Sequence, residues 1–184
     1  MLSASAADGV PQVKSSLRLV VREVEAHVAG SGWDQPPRLY ALVPTSELLE
    51  AEPALAAALG LDEASAAGTL TPIEQDDVAT DRSLEEALAS IMWPPQVYGC
   101  AAVVERLVLP PEAEAHLPGD AVALTRFAVE HPGRHEVRMA AAVTRDGRAH
   151  CAVRLRAHDS DVDVLDSADL VPTLVDLLSQ TLAD

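Results

Sequence analysis

Aromatic residues are scarce in this chain: of 184 residues one is Phe, two are Tyr and two are Trp. A hydrophobic core must therefore be assembled from Ala, Val and Leu. Lysine is nearly absent, with twelve Arg to one Lys, and acids outnumber bases so far that the formal net charge is -16. That balance disfavours nucleic-acid binding, because phosphate contacts require a basic face. No segment approaches the roughly 18 apolar residues of a membrane span, which excludes a membrane-spanning helix. Met1 to Gly9 has neither a basic n-region nor an apolar h-region, so no secretory signal is expected and the expected location is cytoplasmic. The two cysteines, Cys100 and Cys151, are not in a CxxC spacing and suggest neither a zinc site nor a disulfide. No GxSxG, P-loop, Rossmann glycine pattern or HExxH is present. Nothing therefore marks an enzyme, and no cofactor is expected.

What is there points to one α+β domain over residues 1–184, with residues 1–10 flexible. The length suffices for a core, and 48% hydrophobic with 23% charged residues is ordinary for a globular protein. Val13, Leu17, Val20, Val21, Val24 and Val28 recur at helical spacing, predicting a helix over 11–30 with Arg18, Arg22 and Glu25 between them. A short interior strand is predicted over Arg38 to Pro44, then a helix from Ser46 to Leu59 capped by Thr45. A weak edge strand follows at Thr69 to Gln75, where Pro72 argues against a central position. Ser83-Leu84-Glu85-Glu86 is a capping box opening a helix through Met92. The clearest strand runs from Val97 to Leu109. A helix over 120–130 has Val122, Leu124, Phe127 and Ala128 as its apolar side. A hairpin over 135–157 and a final helix from Asp169 to Leu182, with Leu170, Val171, Leu174, Leu177 and Leu178 inward, complete the chain. The expected architecture is a mixed or antiparallel sheet of four or five strands with helices packed on it.

The hairpin register can be worked out. A two-residue Asp-Gly turn would oppose Met139 to Arg154 and mix the faces. A three-residue loop, Arg145-Asp146-Gly147 with Gly147 left-handed, pairs Val137 with Leu155, Met139 with Val153 and Ala141 with Cys151. It also sets Arg138 against Arg154 on the other face, beside Glu136 and Arg156. Like charges directly opposite are destabilising unless something negative sits there. Two readings follow: a small-anion site of Arg138, Arg154, Arg156 and His150, serving an enzyme or sensor, or neutralisation by the chain's own Asp159, Asp161 or Asp163.

Both tryptophans stand beside Pro-Pro: Trp33-Asp34-Gln35-Pro36-Pro37 and Trp93-Pro94-Pro95. Pro-Pro stiffens the backbone and removes donors. One reading makes Trp33, Asp34, Arg38, Trp93, Pro94 and Pro95 the border of a partner-binding groove. The other makes the two rings caps over the core at loop corners. Charge is uneven: residues 47–86 carry eleven acids against Arg82, residues 159–184 seven Asp and no Arg or Lys, and residues 126–156 seven Arg against three acids. A protein partner, and a basic one in particular, is compatible with that distribution, as is self-association into a homo-oligomer. His158 to Asp163 opens like a calcium loop, but Val164 and Leu170 stand where Gly and Glu are required. Cys100 and Cys151, among small apolar residues of strands, read as inert thiols. Glu105 is a carboxylate at the end of an apolar run, best paired with an Arg.

Residues 32–44 (Gly-Trp-Asp-Gln-Pro-Pro-Arg-Leu-Tyr-Ala-Leu-Val-Pro) are similar to a segment of a family of small acidic actinobacterial proteins of unknown function. So are Trp93-Pro94-Pro95, Gly99-Cys100-Ala101, Glu105-Arg106, Arg145-Asp146-Gly147 and Asp169-Leu170-Val171-Pro172. The resemblance covers nearly the whole chain. It implies a stand-alone cytosolic domain and supplies no catalytic residues. The leading expectation is thus a non-catalytic protein-binding domain.

Overall fold

The computed structural model describes residues 10–75 and 83–183. The expectation of a flexible start, except for residue 10, lies outside the described residues, as do Asp76, Asp77, Asp81 and Arg82 of the acidic block.

Six strands form one sheet: β1 (Arg38–Pro44), β2 (Leu70–Gln75), β3 (Gly99–Val108), β4 (His135–Thr144), β5 (Ala149–Leu155) and β6 (Leu165–Ser167), in the order β2-β1-β3-β4-β5-β6. Every pairing is antiparallel. The expected four or five strands become six because β6, three residues long, is too short for its alternation to be read. β2 lies at the sheet edge, where a strand containing Pro72 can be accommodated.

The centre of the sheet is alanine. Ala101, Ala102, Ala140, Ala141, Ala142 and Ala152 are all fully buried. Small side chains let helices approach closely, so branched aliphatics from the helices fill the space and aromatics are not needed. Helix α1 (Val10–Ala29) lays Leu17, Val20, Val21, Val24 and Val28 over one face, against Tyr40, Leu42, Val103 and the alanines between them. On the other face α5 (Leu84–Leu88) and α7 (Pro172–Thr181) bring Leu84, Leu88, Leu174 and Leu178 onto Leu39, Cys100, Val104 and Val143.

The hairpin joining β4 and β5 has the three-residue loop. Gly147 N–H donates to the Thr144 carbonyl at 2.9 Å, Thr144 N–H donates to the Arg148 carbonyl at 3.0 Å, and Gly147 has φ 80°. The register is Val137↔Leu155, Arg138↔Arg154, Met139↔Val153 and Ala141↔Cys151.

Elsewhere the helices differ from expectation. The helix predicted over Ser46 to Leu59 is split into α2 (Thr45–Ala51) and α3 (Pro53–Ala58), followed by α4 (Glu63–Ala66). Pro53 forces Glu52 out of helical geometry, to φ -133° and ψ 64°. Thr45 does not cap; it lies inside α2, its hydroxyl 2.9 Å from that of Thr71. The Ser83 capping box forms, Ser83 Oγ accepting from Glu86 N–H and Glu86 reaching back to Ser83 N–H, but α5 ends at Leu88. The chain then turns so that Trp93 N–H meets the Thr181 carbonyl at 3.3 Å. Helix α7 starts at Pro172, its first-turn position, and Leu170 is exposed rather than inward. Helix α6 (Ala121–Glu130) forms, with Asp120 capping Ala123 N–H at 2.8 Å, yet no residue of it is buried. Phe127 and Ala128 are half-buried, whereas Val122 and Leu124 are exposed.

Candidate functional site

β3, β4 and β5 place Glu105, Arg138 and Arg154 side by side in one row across the sheet face that α1 covers. Glu25 projects into this row from α1, between the buried Val24 and Val28. Arg138 is 0% exposed, Glu25 1% and Arg154 3%. Arg154 forms a fork with Glu25, Nε to Oε1 at 2.7 Å and Nη2 to Oε2 at 2.9 Å. Arg154 also donates to Asp159 at 3.2 Å and Asp161 at 2.6 Å. Arg138 donates through Nη2 to Glu105 at 2.7 Å and to the Gly32 carbonyl. Its Nη1 has no hydrogen-bond partner among the described residues and faces Glu25 Oε1 at 3.7 Å. The second Glu105 oxygen accepts from the backbone N–H of Asp34 at 2.7 Å and of Gln35 at 3.2 Å.

Trp33 closes the cluster. The Arg138 guanidinium carbon lies 4.4 Å, and that of Arg156 5.5 Å, from its ring centroid. Its Nε1–H donates to Asp159 at 2.9 Å. That hydrogen bond, with those from Arg154, holds the Asp159 carboxyl below its ordinary value. Arg156 is engaged by Asp34, at 3.0 and 3.1 Å, and by Glu136. Three guanidiniums thus face six carboxylates: Glu25, Asp34, Glu105, Glu136, Asp159 and Asp161. The opposed arginines are neutralised from within, by Asp159 and Asp161 as one reading expected, but not by Asp163. Glu105 does pair with an Arg.

Glu25 is the residue sequence reasoning missed. It reads as part of a solvated face, but the spacing Leu17, Val21, Glu25 is four residues each time, which puts it on the buried stripe.

His150 stands apart from this cluster, at the hairpin end of β5. Its Nε2 lies 3.1 Å from Asp166 on β6, whose carboxylate also takes the Arg18 fork from α1 at 2.8 and 3.1 Å. The Arg18 and His150 contacts hold the Asp166 carboxyl down at about 2.

The two Trp-Pro-Pro loops lie at opposite ends of the sheet. β1 and β3 are antiparallel, Arg38 opposing Val103 and Leu42 opposing Gly99. The loop before β1 therefore meets the Glu105 end of β3, while Trp93 precedes the Gly99 end. The faces differ too: Trp33 lies over the arginines on the α1 side, and Trp93 packs with the α7 cluster. Trp93 Nε1–H donates to Thr181 Oγ1 at 2.9 Å, and Arg145 pins the Trp93 carbonyl at 2.9 Å. Both rings are half-buried, with Pro36, Pro94 and Pro95 exposed beside them. Arg38 pairs with Glu74 at 2.7 Å. These six residues do not border one groove.

Cys100 and Cys151 are fully buried, and burial pushes the Cys100 thiol up to about 11. Among the described residues no group of His, Cys, Asp and Glu has the arrangement to hold a metal ion, and no helix is long and apolar enough to cross a membrane.

Residues 17–183 match a family model described as PPA1309-like protein. No curated protein and no solved structure matches the chain.

Proposed function

The chain belongs to the PPA1309-like protein family, and for it we propose a non-catalytic, cytoplasmic domain that binds another protein. One observation carries this reading: α6 is amphipathic and has no buried residue. Val122 is 71% and Val129 55% exposed, two turns apart on one face with Thr125 and Arg126 between them. An apolar helix face left in water is costly unless something covers it. The polar groups support the same reading from the other side. Arg138, Arg154, Arg156, Glu25 and Glu105 are engaged internally, the thiols are buried, and both Trp rings are hydrogen-bonded within the fold. The Trp loops thus act as corner caps, and the contact surface moves from them to α6. A net charge of -16 favours a partner with a positive rim.

The test compares the wild-type chain with Val122→Glu/Val129→Glu. Exposed substitutions of this kind leave stability within about 0.5 kcal/mol, so a change reports contact rather than folding. Cross-linking and mass spectrometry should identify a protein held by the wild type and released by the double variant. Sedimentation velocity distinguishes a second copy of the chain as that partner. Identical cross-link profiles and identical sedimentation for the two proteins would overturn the proposal.

A further inference from the structure

At the hairpin end of β5, away from the Arg138 cluster and from α6, an open cleft of about 530 Å³ is lined by Leu17, Arg18, Arg148, Ala149, His150 and Ala168, with the Gly147 turn at its rim. The described residues of this lining include three cationic or protonatable side chains and no acid. In a chain of net charge -16 that is a local inversion. The carboxylates that hold these groups do not line the cleft. Asp166 anchors Arg18 and His150, and Asp146 anchors Arg148 at 2.7 Å while accepting from Thr144 and Tyr98. Two aspartates therefore set three basic side chains, and Arg22 lies a further 3.9 Å from Asp166. With Arg22 counted beside Arg18 and Arg148, three guanidiniums stand against two aspartates, the reverse of the Arg138 cluster. Among the described residues the enclosed Arg148 Nη1 has no hydrogen-bond partner.

We infer that this cleft binds a phosphate monoester of a small organic molecule. The phosphate takes its hydrogen bonds from Arg18, Arg148 and His150; guanidinium forks match phosphate oxygens, and a dianion suits several converging cations better than a carboxylate does. The organic part rests on Ala149 and Ala168, beside the buried Leu17. A cleft of this volume, part apolar with a few convergent polar groups, is in the size range of small-molecule sites. Only His150 is shared with the arginine strip that the sequence suggested.

Phenyl phosphate is the probe, added to the full-length, isotope-labelled protein and followed by amide chemical shifts. Inorganic phosphate and benzoate are the comparisons. Saturable shifts confined to Arg18, residues 147–150 and Ala168 are expected, with phenyl phosphate the tightest of the three. Arg148→Gln should weaken it about tenfold or more, the value of a charge-assisted hydrogen bond. No saturable shifts, or shifts centred elsewhere in the wild type, would overturn the site whatever the variant does. Benzoate binding as tightly as phenyl phosphate would overturn the phosphate assignment, and inorganic phosphate doing so would overturn the role of the apolar floor.

Discussion

Replacing Glu25 by Gln tests whether the buried charge cluster holds α1 to the sheet. Glu25 accepts two hydrogen bonds from Arg154, at 2.7 and 2.9 Å, and faces Arg138 at 3.7 Å. Gln keeps the volume but removes the charge and turns one acceptor into a donor that meets a guanidinium. Removing one partner of a buried ion pair costs about 3–5 kcal/mol, because an uncompensated charge is left behind. Here compensation is partial: Arg154 retains Asp159 and Asp161, and Arg138 retains Glu105. The loss should fall at the lower end, about 3 kcal/mol, which for a chain of this length is a fall in Tm of roughly 6–12 °C. Urea unfolding followed by circular dichroism and Trp emission measures it, with an unchanged m-value showing that the unfolded state is not altered. Asp161→Asn is the control, since Asp161 is exposed and an exposed pair contributes only about 0–1 kcal/mol. A double-mutant cycle of Glu25→Gln with Arg154→Gln should show a coupling of about 0.5–3 kcal/mol. A Glu25→Gln protein within about 0.5 kcal/mol of wild type, or additive single variants, would refute the reasoning.

Gly99 begins β3 where an added Cβ would collide with the Val143 carbonyl oxygen and lie 3.1 Å from Thr144 Cγ2, so Gly99→Ala should cost about 1–3 kcal/mol by urea unfolding. Asp166 should contribute to acid stability. Its folded value, about 2, lies below the unfolded value of about 3.9, so its contribution is complete above the unfolded value and is lost as pH falls through the folded one. The stability of Asp166→Asn should accordingly depend less steeply on pH between about 4 and 2; equal slopes would contradict the pairing with Arg18 and His150. Cys100 and Cys151 should resist Ellman's reagent at pH near 8 in the native protein and react fully in urea, because burial raises both thiols and denies access. Rapid native labelling of either would show that the sheet centre opens.

The parts of the fold readable from the sequence are those fixed by local chemistry. The hairpin register follows from three turn residues and a two-residue period, and that register alone sets Arg138 opposite Arg154. The capping box at Ser83 and the Pro72 edge strand are equally local. Glu25 was harder, because its partner strands lie more than a hundred positions away and only the four-residue spacing from Leu17 and Val21 hinted at burial. The break at Pro53 was visible but outweighed by helical composition on both sides; the steric effect of proline on Glu52 decided it. For α6 the periodicity identified an apolar stripe without saying what covers it. The Trp loops show the limit most clearly. Each connects a helix to an interior strand, which suggested one sheet edge, but antiparallel pairing of β1 with β3 sends the two strand starts to opposite ends.

The α1 face of β5 bears on what an anion could do here, because it carries basic residues at both ends in opposite electrostatic settings. At the Trp33 end, Arg138, Arg154 and Arg156 face six carboxylates, and two of the guanidiniums are almost wholly out of water. An incoming anion would meet excess negative charge there and could reach Arg138 only by displacing Glu105 or Trp33. At the hairpin end, Arg18, Arg148 and His150 share two aspartates and border open space. Interactions between opposite charges strengthen as water is excluded, but so does the penalty for a like charge alongside. The buried arginines are therefore committed to holding α1, the loop after it and the segment after β5 in one arrangement. Those at the cleft have their geometry set by Asp166 and Asp146 and keep capacity for a further acceptor. Salt dependence separates the two roles: added salt should weaken phosphate binding at the exposed cleft while leaving the contribution of Glu25 to stability nearly unchanged.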